Sequence, residues 1–447
     1  MVEGFGYSNI ESGVRNTPWT LFYGASTTKA FTAAAFAKLI EDRTEAASLS
    51  WQTKLRDIDP ENFHLADQNL TNNVTIEDAL SHCSGMPSHD NSSLVEFRYK
   101  EETPKSYLRR LASLPVGDLS KGRHLYTNFM LEEILRRSIW IKLGMHQTSF
   151  EPHSTPWQSS DLATGYTWSE IFQSYLPLPS RDYSCQEGAS AVVSNVVDYT
   201  KWIHCLIHQR GPLSKASHRE LITVRAHKKS KSWKGVSRQG YALGWSTLRY
   251  KEHDVLYHTG TLPGYSCLVI FCPSLKWGTV AFSNSHHRGL GVSSVICWGL
   301  LDDILGAPYE AKSYWERHAE RKMRIARNRE SIHMVIPPSF RERAPFSAGF
   351  EDYLGHYSHP AYGTYHIRSR GGVLLIEAMD LPCRSVFVFE HIDRDDFLLR
   401  QHKVDWDTMD VFRARFHVKN CKVLKLGIAF KEAMMDEMIY FTKRLPA

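Results

Sequence analysis

The distribution of apolar residues predicts a first region in which buried helices are mixed with short strands. After Ser26 the chain is apolar on nearly every face of a helix, which is typical of a helix buried in a core. The apolar positions of this segment are Ala30, Ala33, Ala34, Phe36, Ala37, Leu39 and Ile40. Shorter runs at Phe5 to Ile10, Thr20 to Tyr23 and Val255 to Tyr257 have the length and composition of strands.

A different pattern begins after Phe346, where short alternating runs predict a small antiparallel β-barrel. The runs recur at roughly ten-residue intervals and are separated by turn residues such as Gly371-Gly372. They are Tyr353 to Tyr357, Thr364 to Arg368, Gly372 to Glu377, Val386 to Phe389 and Phe397 to Leu399. Before them, opposite charges interleave up to Glu330 and Pro337-Pro338 follows, which predicts a linker helix. We therefore expect three segments, at residues 1–308, 309–345 and 346–447.

Composition places the chain among ordinary globular proteins and narrows its possible partners. The 447 residues are 42% apolar and 23% charged, and the formal net charge is +6. This basic balance is too weak to predict nucleic-acid binding. No window approaches the apolar length of a membrane span, and the segment from Met1 to Gly6 lacks the pattern of a signal peptide. We expect a cytoplasmic protein with neither a membrane nor a nucleic-acid partner.

The cysteines and histidines predict neither a disulfide framework nor a metal centre. Eight cysteines are scattered without Cys-x-x-Cys pairs, which favours reduced thiols over disulfides. His204 and His208 form an H-x-x-x-H pair, but Cys205 occupies the position where a zinc protease has its glutamate. We expect no metal and no cofactor.

Ser26 and Lys29 have the spacing of a nucleophile and its base. On a helix beginning near Ser26, both side chains lie on one face. A serine hydroxyl is a weak nucleophile until a base removes its proton, and a desolvated lysine amine can be that base. The alternative is a solvated lysine on an ordinary helix. The apolar turns that follow favour the catalytic interpretation.

Two further motifs follow Ser26-Thr27-Thr28-Lys29 along the chain. They are Tyr126-Thr127-Asn128 and His258-Thr259-Gly260, the latter at the end of the strand predicted at Val255 to Tyr257. On these three motifs, from about residue 4 to residue 300, the chain resembles the superfamily of class C β-lactamases, D-alanyl-D-alanine carboxypeptidases and esterases. Secondary landmarks agree with that resemblance: Thr75 to Pro87, Leu143 to Met145, Ala163 to Tyr166, Ser194 to Trp202, Tyr241 to Trp245 and Asn284.

The resemblance implies an α+β fold, with an antiparallel sheet flanked by helices and an all-helical subdomain. The C-terminal region resembles the lipocalin-like barrel domain attached to some members. Compared with the family, the chain lacks a helix and a strand before Ser26, so we expect an unpaired sheet edge or a poorly covered core. It is also shortened after residue 129, since only 17 positions separate Tyr126 from Leu143.

The resemblance also assigns catalytic roles. Ser26 would attack a carbonyl and form an acyl-enzyme, while Lys29 and Tyr126 share the proton transfer. Which of these two groups takes the first proton stays open, because their titrations should be coupled. The backbone N–H groups of Ser26 and Thr261 would form the oxyanion hole.

Four residues are predicted to bind the substrate: Asn128, His258, Thr259 and Gly260. Asn128 would orient the substrate amide or Lys29, or else stabilise a turn. Gly260 would let the strand approach the substrate closely. His258 stands where most β-lactamases have lysine, and it would bind a carboxylate when protonated, assist proton transfer when neutral, or pack at the strand end.

The leading hypothesis is a serine hydrolase or acyltransferase acting on a small-molecule or peptide ester, amide or lactone. The alternative is a catalytically impaired homologue that serves as a binding or assembly module, and a polymerising scaffold is a third hypothesis. Each of them is compatible with a homo-oligomer. Four aromatic residues predict a partly apolar acyl or ring group in the substrate, unless they belong to the core. They are Tyr23, Tyr166, Tyr241 and Trp245.

Overall fold

A computed structural model of the chain divides it into two compact units, described separately below. The first unit holds an open sheet with its helices, and the second holds a closed barrel. The described residues are 1–42, 49–85, 109–110, 112–115, 135–150, 161–169, 172–179, 183, 187–227, 236–307, 344–378, 384–405, 408–430 and 438–444. Tyr126, Asn128 and nearly all of the predicted linker helix lie outside them.

An antiparallel sheet of six strands, in the order β12-β11-β10-β9-β8-β7, forms the centre of the first unit. The strands of this unit are β1 Tyr7–Asn9, β2 Val14–Arg15, β3 Phe22–Tyr23, β4 Tyr166–Ser169, β5 Ser174–Pro177, β6 Val193–Ser194, β7 Ala226–His227, β8 Val236–Tyr241, β9 Ser246–Tyr250, β10 His253–Leu262, β11 Tyr265–Cys272 and β12 Trp277–Ser283. Strand β11 is buried along its whole length, as expected for a strand covered on both faces.

Helices pack on both faces of this sheet. The helices are α1 Thr28–Asp42, α2 Leu55–Ile58, α3 Gln68–Asn73, α4 Ile76–Leu80, α5 Ile141–Leu143, α6 Glu187–Ser190, α7 Val196–His208, α8 Lys215–Ile222 and α9 His287–Ile304. A π-helical turn at Arg136–Trp140 precedes α5. Leu268 and Ile270 of β11 join a core cluster with Trp298 of α9. On the opposite face, Gly278 of β12 lies against Ile203 of α7. Side chains that alternate along the strands therefore supply two cores.

The first unit differs from the predicted elements in two places. The motif His258-Thr259-Gly260 lies inside β10 rather than after its end, because pairing with β11 continues to Leu262 and Tyr265. Within the run predicted as strand from Phe5 to Ile10, only Tyr7–Asn9 forms a strand, β1, which pairs with β2 in a short hairpin.

The second unit is a barrel of eight antiparallel strands, closed by the pairing of β20 with β13. Its strands are β13 Gly355–His359, β14 Gly363–Arg370, β15 Val373–Ala378, β16 Ser385–Asp393, β17 Asp396–Lys403, β18 Thr408–Lys419, β19 Lys422–Ala429 and β20 Ile439–Lys443. Its core is strongly aromatic; Phe397 and Phe416, for example, meet edge to face.

The predicted fold class, a helix-flanked antiparallel sheet followed by a small barrel, is confirmed. The bounds proposed for the three segments stay predictions. In the part of the chain that is described, no helix is both long and apolar enough to cross a membrane.

Candidate active site

Ser26 lies in a tight turn that leads into α1. A 3₁₀ turn at Ala25–Thr27 precedes the helix, and Ala25 has a φ of 48°. A residue with a Cβ atom in this left-handed region costs roughly 1–2 kcal/mol, so the surrounding contacts must hold it. The amide of Gly24 donates to the carbonyl of Val192 at 2.6 Å, and the hydroxyl of Thr28 donates to the carbonyl of Ala25 at 2.6 Å. Ser26, the middle residue of this turn, is half-buried.

A buried pair of hydroxyl groups supports the turn from below. The Thr27 hydroxyl donates to the Gly24 carbonyl at 2.8 Å and lies 2.8 Å from the phenolic oxygen of Tyr199. Burial raises the pKa of Tyr199 well above its ordinary value. Tyr199 therefore stays neutral and acts here as a support for the turn, not as a base.

Lys29 lies beside Ser26, as the spacing of the motif predicts. Its Nζ atom is 3.3 Å from the Ser26 Oγ atom and donates to the carbonyl of Ala189 at 2.9 Å. Lys29 is only 5% exposed. The Thr32 hydroxyl donates to the Gly188 carbonyl at 2.6 Å, which fastens α1 to the same segment. Ala189, which is distant in sequence, thus holds the Lys29 amine next to the Ser26 hydroxyl.

Strand β10 passes directly alongside the Ser26 turn. A methyl group at Gly260 would lie 2.3 Å from the Gly24 carbonyl oxygen and 3.0 Å from the backbone nitrogen of Ser26. Only a residue without a side chain allows this approach. Thr259 is exposed and Thr261 is half-buried. The structure therefore brings Ser26, Lys29 and the Thr259–Thr261 segment together, and their catalytic and binding roles stay predictions.

His258 lies two residues before Gly260, so its side chain is on the face of β10 that meets the Ser26 turn. It is buried, with its Nδ1 atom 2.8 Å from the Thr259 carbonyl oxygen and its Nε2 atom 2.9 Å from the Tyr241 hydroxyl. The Tyr241 hydroxyl also lies 3.2 Å from the Nε2 atom of His82. His82 was not among the residues that the sequence motifs assigned to the site.

The turn between β8 and β9 rests on the start of α1. Gly244 has a φ of 72°, and a methyl group there would lie 2.6 Å from the Lys29 carbonyl oxygen.

The four aromatic residues for which the sequence suggested substrate contact are all buried in the core. Their exposures are Tyr23 1%, Tyr166 2%, Tyr241 1% and Trp245 1%. Of the two interpretations left open for these residues, their burial favours the core, although the Tyr241 hydroxyl also contacts His258.

Asn284 joins three backbone segments near the site. Its amide nitrogen donates to the carbonyls of Tyr7 and Thr164, both at 3.0 Å. Close by, Gly264 packs on Gly165, because a methyl group at Gly264 would lie 2.7 Å from the Cα atom of Gly165. These landmarks of the sequence are thus neighbours in space.

Tyr126 and Asn128 lie outside the described residues, so their predicted roles are not tested by these contacts. Within the described ranges, no group of three or more His, Cys, Asp or Glu side chains could hold a metal ion.

Comparison with known proteins identifies relatives of both regions. A family model described as Beta-lactamase matches residues 1–293. A second model, described as a domain of unknown function (DUF3471), matches residues 341–443.

Two fungal proteins are similar over most of the chain. The unguisins hydrolase ungD′ of Aspergillus campestris is 26% identical, and the alignment covers 99% of this chain and 86% of that protein. The unguisins hydrolase ungD of Aspergillus violaceofuscus is 28% identical, with 88% of this chain and 76% of that protein covered.

A solved structure shares the fold over both regions. The octameric penicillin-binding protein homologue from Pyrococcus abyssi is 19% identical, with a TM-score of 0.58. The superposition covers 98% of this chain and 92% of that chain.

Proposed function

The chain belongs to the beta-lactamase family of serine hydrolases, and on that premise we propose that it acts through an acyl-enzyme formed on Ser26. The substrate would be an ester, an amide or a lactone. The observation that supports this proposal is the position of the Lys29 amine, 3.3 Å from the Ser26 hydroxyl oxygen in a buried setting.

In the first step the Ser26 oxygen attacks the substrate carbonyl carbon while Lys29, assisted by Tyr126, accepts the hydroxyl proton. A neutral lysine amine has one lone pair for this proton, and its own N–H group can keep donating to the Ala189 carbonyl at 2.9 Å. The backbone N–H groups of Ser26 and Thr261 would hold the developing oxyanion. Losing one such donor typically costs about 3 kcal/mol of transition-state stabilisation.

The tetrahedral intermediate then collapses: the bond between the carbonyl carbon and the alcohol or amine breaks, and the departing group takes the proton. In the second step water or an acceptor hydroxyl gives up its proton to the same base and attacks the ester carbonyl, the bond to the Ser26 oxygen breaks, and the proton returns to that oxygen. Water gives hydrolysis, and a hydroxyl gives acyl transfer. The two similar proteins named unguisins hydrolases favour hydrolysis as the main reaction.

Labelling of Ser26 tests the proposal. Wild-type protein is expected to react with a fluorophosphonate at the peptide that contains Ser26, and Ser26→Ala is expected to lose that label. The exposed Ser12 offers a matched Ser12→Ala control that keeps the label. p-Nitrophenyl esters, nitrocefin and D-alanyl peptides would then be compared as substrates. Folded wild-type protein labelled no better than Ser26→Ala would refute the acyl-enzyme.

The alternative proposal is an assembly module. The observation that favours it is a row of exposed apolar side chains on α9, which a second copy of the chain would cover. They are Val292 60%, Ile296 51%, Leu300 45% and Ile304 55% exposed. The octameric state named for the Pyrococcus abyssi protein motivates the same idea. Light scattering that measures the molar mass of wild-type protein, of Ile296→Asp and of the control Leu424→Asp on the barrel tests this proposal. A monomer in all three proteins would refute assembly through α9.

A further inference from the structure

Three buried side chains form a hydrogen-bonded chain that ends on β10 beside Ser26. His82 Nε2 lies 3.2 Å from the Tyr241 hydroxyl, which lies 2.9 Å from His258 Nε2. His258 Nδ1 continues the chain to the Thr259 carbonyl oxygen at 2.8 Å. The exposures are 2% for His82, 1% for Tyr241 and 4% for His258. We call this chain of side chains the imidazole relay.

The acceptor at the end of the imidazole relay fixes its direction. A carbonyl oxygen only accepts, so His258 Nδ1 must carry the proton. In a neutral imidazole the other nitrogen is then an acceptor, and the Tyr241 hydroxyl donates to His258 Nε2. The Tyr241 oxygen in turn accepts from the Nε2–H group of His82. The opposite direction would require a second proton on the His258 ring, that is, an imidazolium.

The backbone at His82 supplies a second, independent observation. His82 has a φ of 60° just after α4. The amides of His82 and Cys83 donate back to the carbonyls of Ala79 and Asp78. This is the end of a helix at which glycine is strongly favoured, because a Cβ atom is strained there. The left-handed backbone of a residue with a bulky side chain motivates the hypothesis that the His82 ring has a function.

We propose that Tyr241 and His82 are positioning residues that hold His258 as the neutral Nδ1–H tautomer. Both ring nitrogens of His258 are then engaged in fixed hydrogen bonds, and β10 presents no imidazolium cation to the substrate. The site therefore takes acyl substrates that lack a free carboxylate next to this strand. This inference rests on the function proposed above, and of the roles considered for His258 it excludes carboxylate binding.

A spectroscopic test needs no activity. In full-length protein labelled with ¹⁵N-histidine, two-bond ¹H–¹⁵N spectra at neutral pH report the tautomer of each ring, with His258→Gln and His82→Gln for assignment. We expect the Nδ1–H form at His258 and the Nε2–H form at His82. Tyr241→Phe should abolish the pure Nδ1–H signature of His258. Tyr250→Phe, which removes a buried hydroxyl bonded to Asp302 at 2.7 Å, should leave it unchanged. An Nε2–H or a doubly protonated His258 in wild-type protein would overturn the proposal.

A kinetic test compares p-nitrophenyl butyrate with mono-p-nitrophenyl succinate, which adds a carboxylate. We expect wild-type kcat/KM to favour the butyrate. Tyr241→Phe should lower kcat/KM for the butyrate about five- to tenfold, the usual effect of losing one hydrogen bond. The ratio of kcat/KM for the butyrate to kcat/KM for the succinate should then decrease. His82→Gly should act in the same direction, although glycine suits the backbone at this position. Tyr250→Phe should keep the ratio.

These outcomes separate the imidazole relay from the chemistry at Ser26. Undiminished activity of Ser26→Ala on both esters would refute the proposed function. The ¹H–¹⁵N spectra would still show whether His258 is the neutral Nδ1–H tautomer. A wild-type preference for the succinate, or equal ratios in Tyr241→Phe and Tyr250→Phe, would refute the relay even if Ser26 is labelled.

Discussion

At the residue scale, two glycines of the first unit have opposite surroundings. Gly260 has no room for a methyl group, because the Gly24 carbonyl oxygen would lie 2.3 Å from it. Gly299, inside α9, has nothing within 4 Å of the corresponding position. The same substitution should therefore have opposite effects at the two sites.

Gly260→Ala is expected to destabilise the protein by about 1–3 kcal/mol, as overpacking does, and to reduce acylation of Ser26 by at least tenfold, on the order of the effect of a small displacement in an active site. Gly299→Ala should stabilise by about 0.5–1 kcal/mol, because alanine favours the helix, and should leave acylation unchanged. Urea unfolding and fluorophosphonate labelling rates measure both. Equal labelling rates in the two variants would contradict the close approach of β10.

Tyr199 offers a second residue-scale prediction. Tyr199→Phe removes the hydroxyl that lies 2.8 Å from Thr27, so it should cost about 1 kcal/mol of stability and slow acylation. The pH–rate profile should keep its shape, because the raised pKa of Tyr199 keeps this phenol from titrating with the catalytic groups. Tyr357→Phe, in the barrel, loses a buried bond to the Tyr353 carbonyl and serves as the control with normal acylation. A shifted limb of the profile in Tyr199→Phe would assign it a role in proton transfer.

At the element scale, a buried carboxylate helps to fasten α7 to the chain before it. Asp198 is 1% exposed, accepts from the amide of Gln147 at 2.7 Å and from the hydroxyl of Thr148 at 3.1 Å, and pairs with Lys201 at 2.8 Å. The next residue along α7 is Tyr199, which supports the Ser26 turn. The start of this helix therefore links peripheral segments to the site.

Asp198→Asn should destabilise the protein by about 2 kcal/mol or more. The NH₂ group of the new side chain can face the Gln147 amide, which is also a donor, and the neutral side chain no longer forms an ion pair with Lys201. Thr200→Ala, at an exposed position of the same helix, should cost less than about 0.5 kcal/mol. Thermal and urea unfolding compare them. Similar losses in both variants would show that the carboxylate is not the fastening group.

At the scale of the whole molecule, the barrel should lose stability in acid for a specific reason. Burial lowers the pKa of His359 to about 4. The Nδ1 atom of His359 accepts from the amide of Ala361 at 3.0 Å, which requires an unprotonated nitrogen. The unfolded chain takes up this proton near its ordinary pKa of about 6.5. The contribution of neutral His359 to the free energy of unfolding is thus fully present above about pH 6.5 and is lost as the pH falls toward 4.

Between neutral pH and about pH 4 the loss from His359 should be about 2 kcal/mol, a value reduced from the full shift because the ring is partly exposed. In His359→Asn the side-chain oxygen can accept from the same amide without titrating, so the acid loss should shrink. Hydrogen exchange of β14, corrected for the intrinsic effect of pH, measures the difference. An unchanged acid loss in His359→Asn would assign the effect to other groups.

Local features of the site could be predicted from the sequence. The contact between Lys29 and Ser26 follows from a spacing within one helical turn, and the barrel follows from alternation that each strand carries in itself. The strands β18 to β20 were not identified in advance, since charged residues interrupt their apolar pattern.

Contacts between distant residues could not be predicted. The bond between His82 and Tyr241 joins positions 159 residues apart, and nothing local marks either side chain as a hydrogen-bond partner. The left-handed backbone of Ala25 is likewise invisible in the sequence, because alanine gives no signal for it. Such features depend on the packing of segments that meet only in the folded state.

The closure of the barrel limits how its sequence can change by insertion or deletion. Its eight strands alternate in direction around a ring that β20 and β13 complete. Removing one strand would force two neighbours to run parallel, whereas turns can lengthen and a whole hairpin can be gained without breaking the alternation. We therefore expect such a barrel to be transferred between genes as a whole domain, so that its evolutionary history can be traced separately from that of the sheet domain.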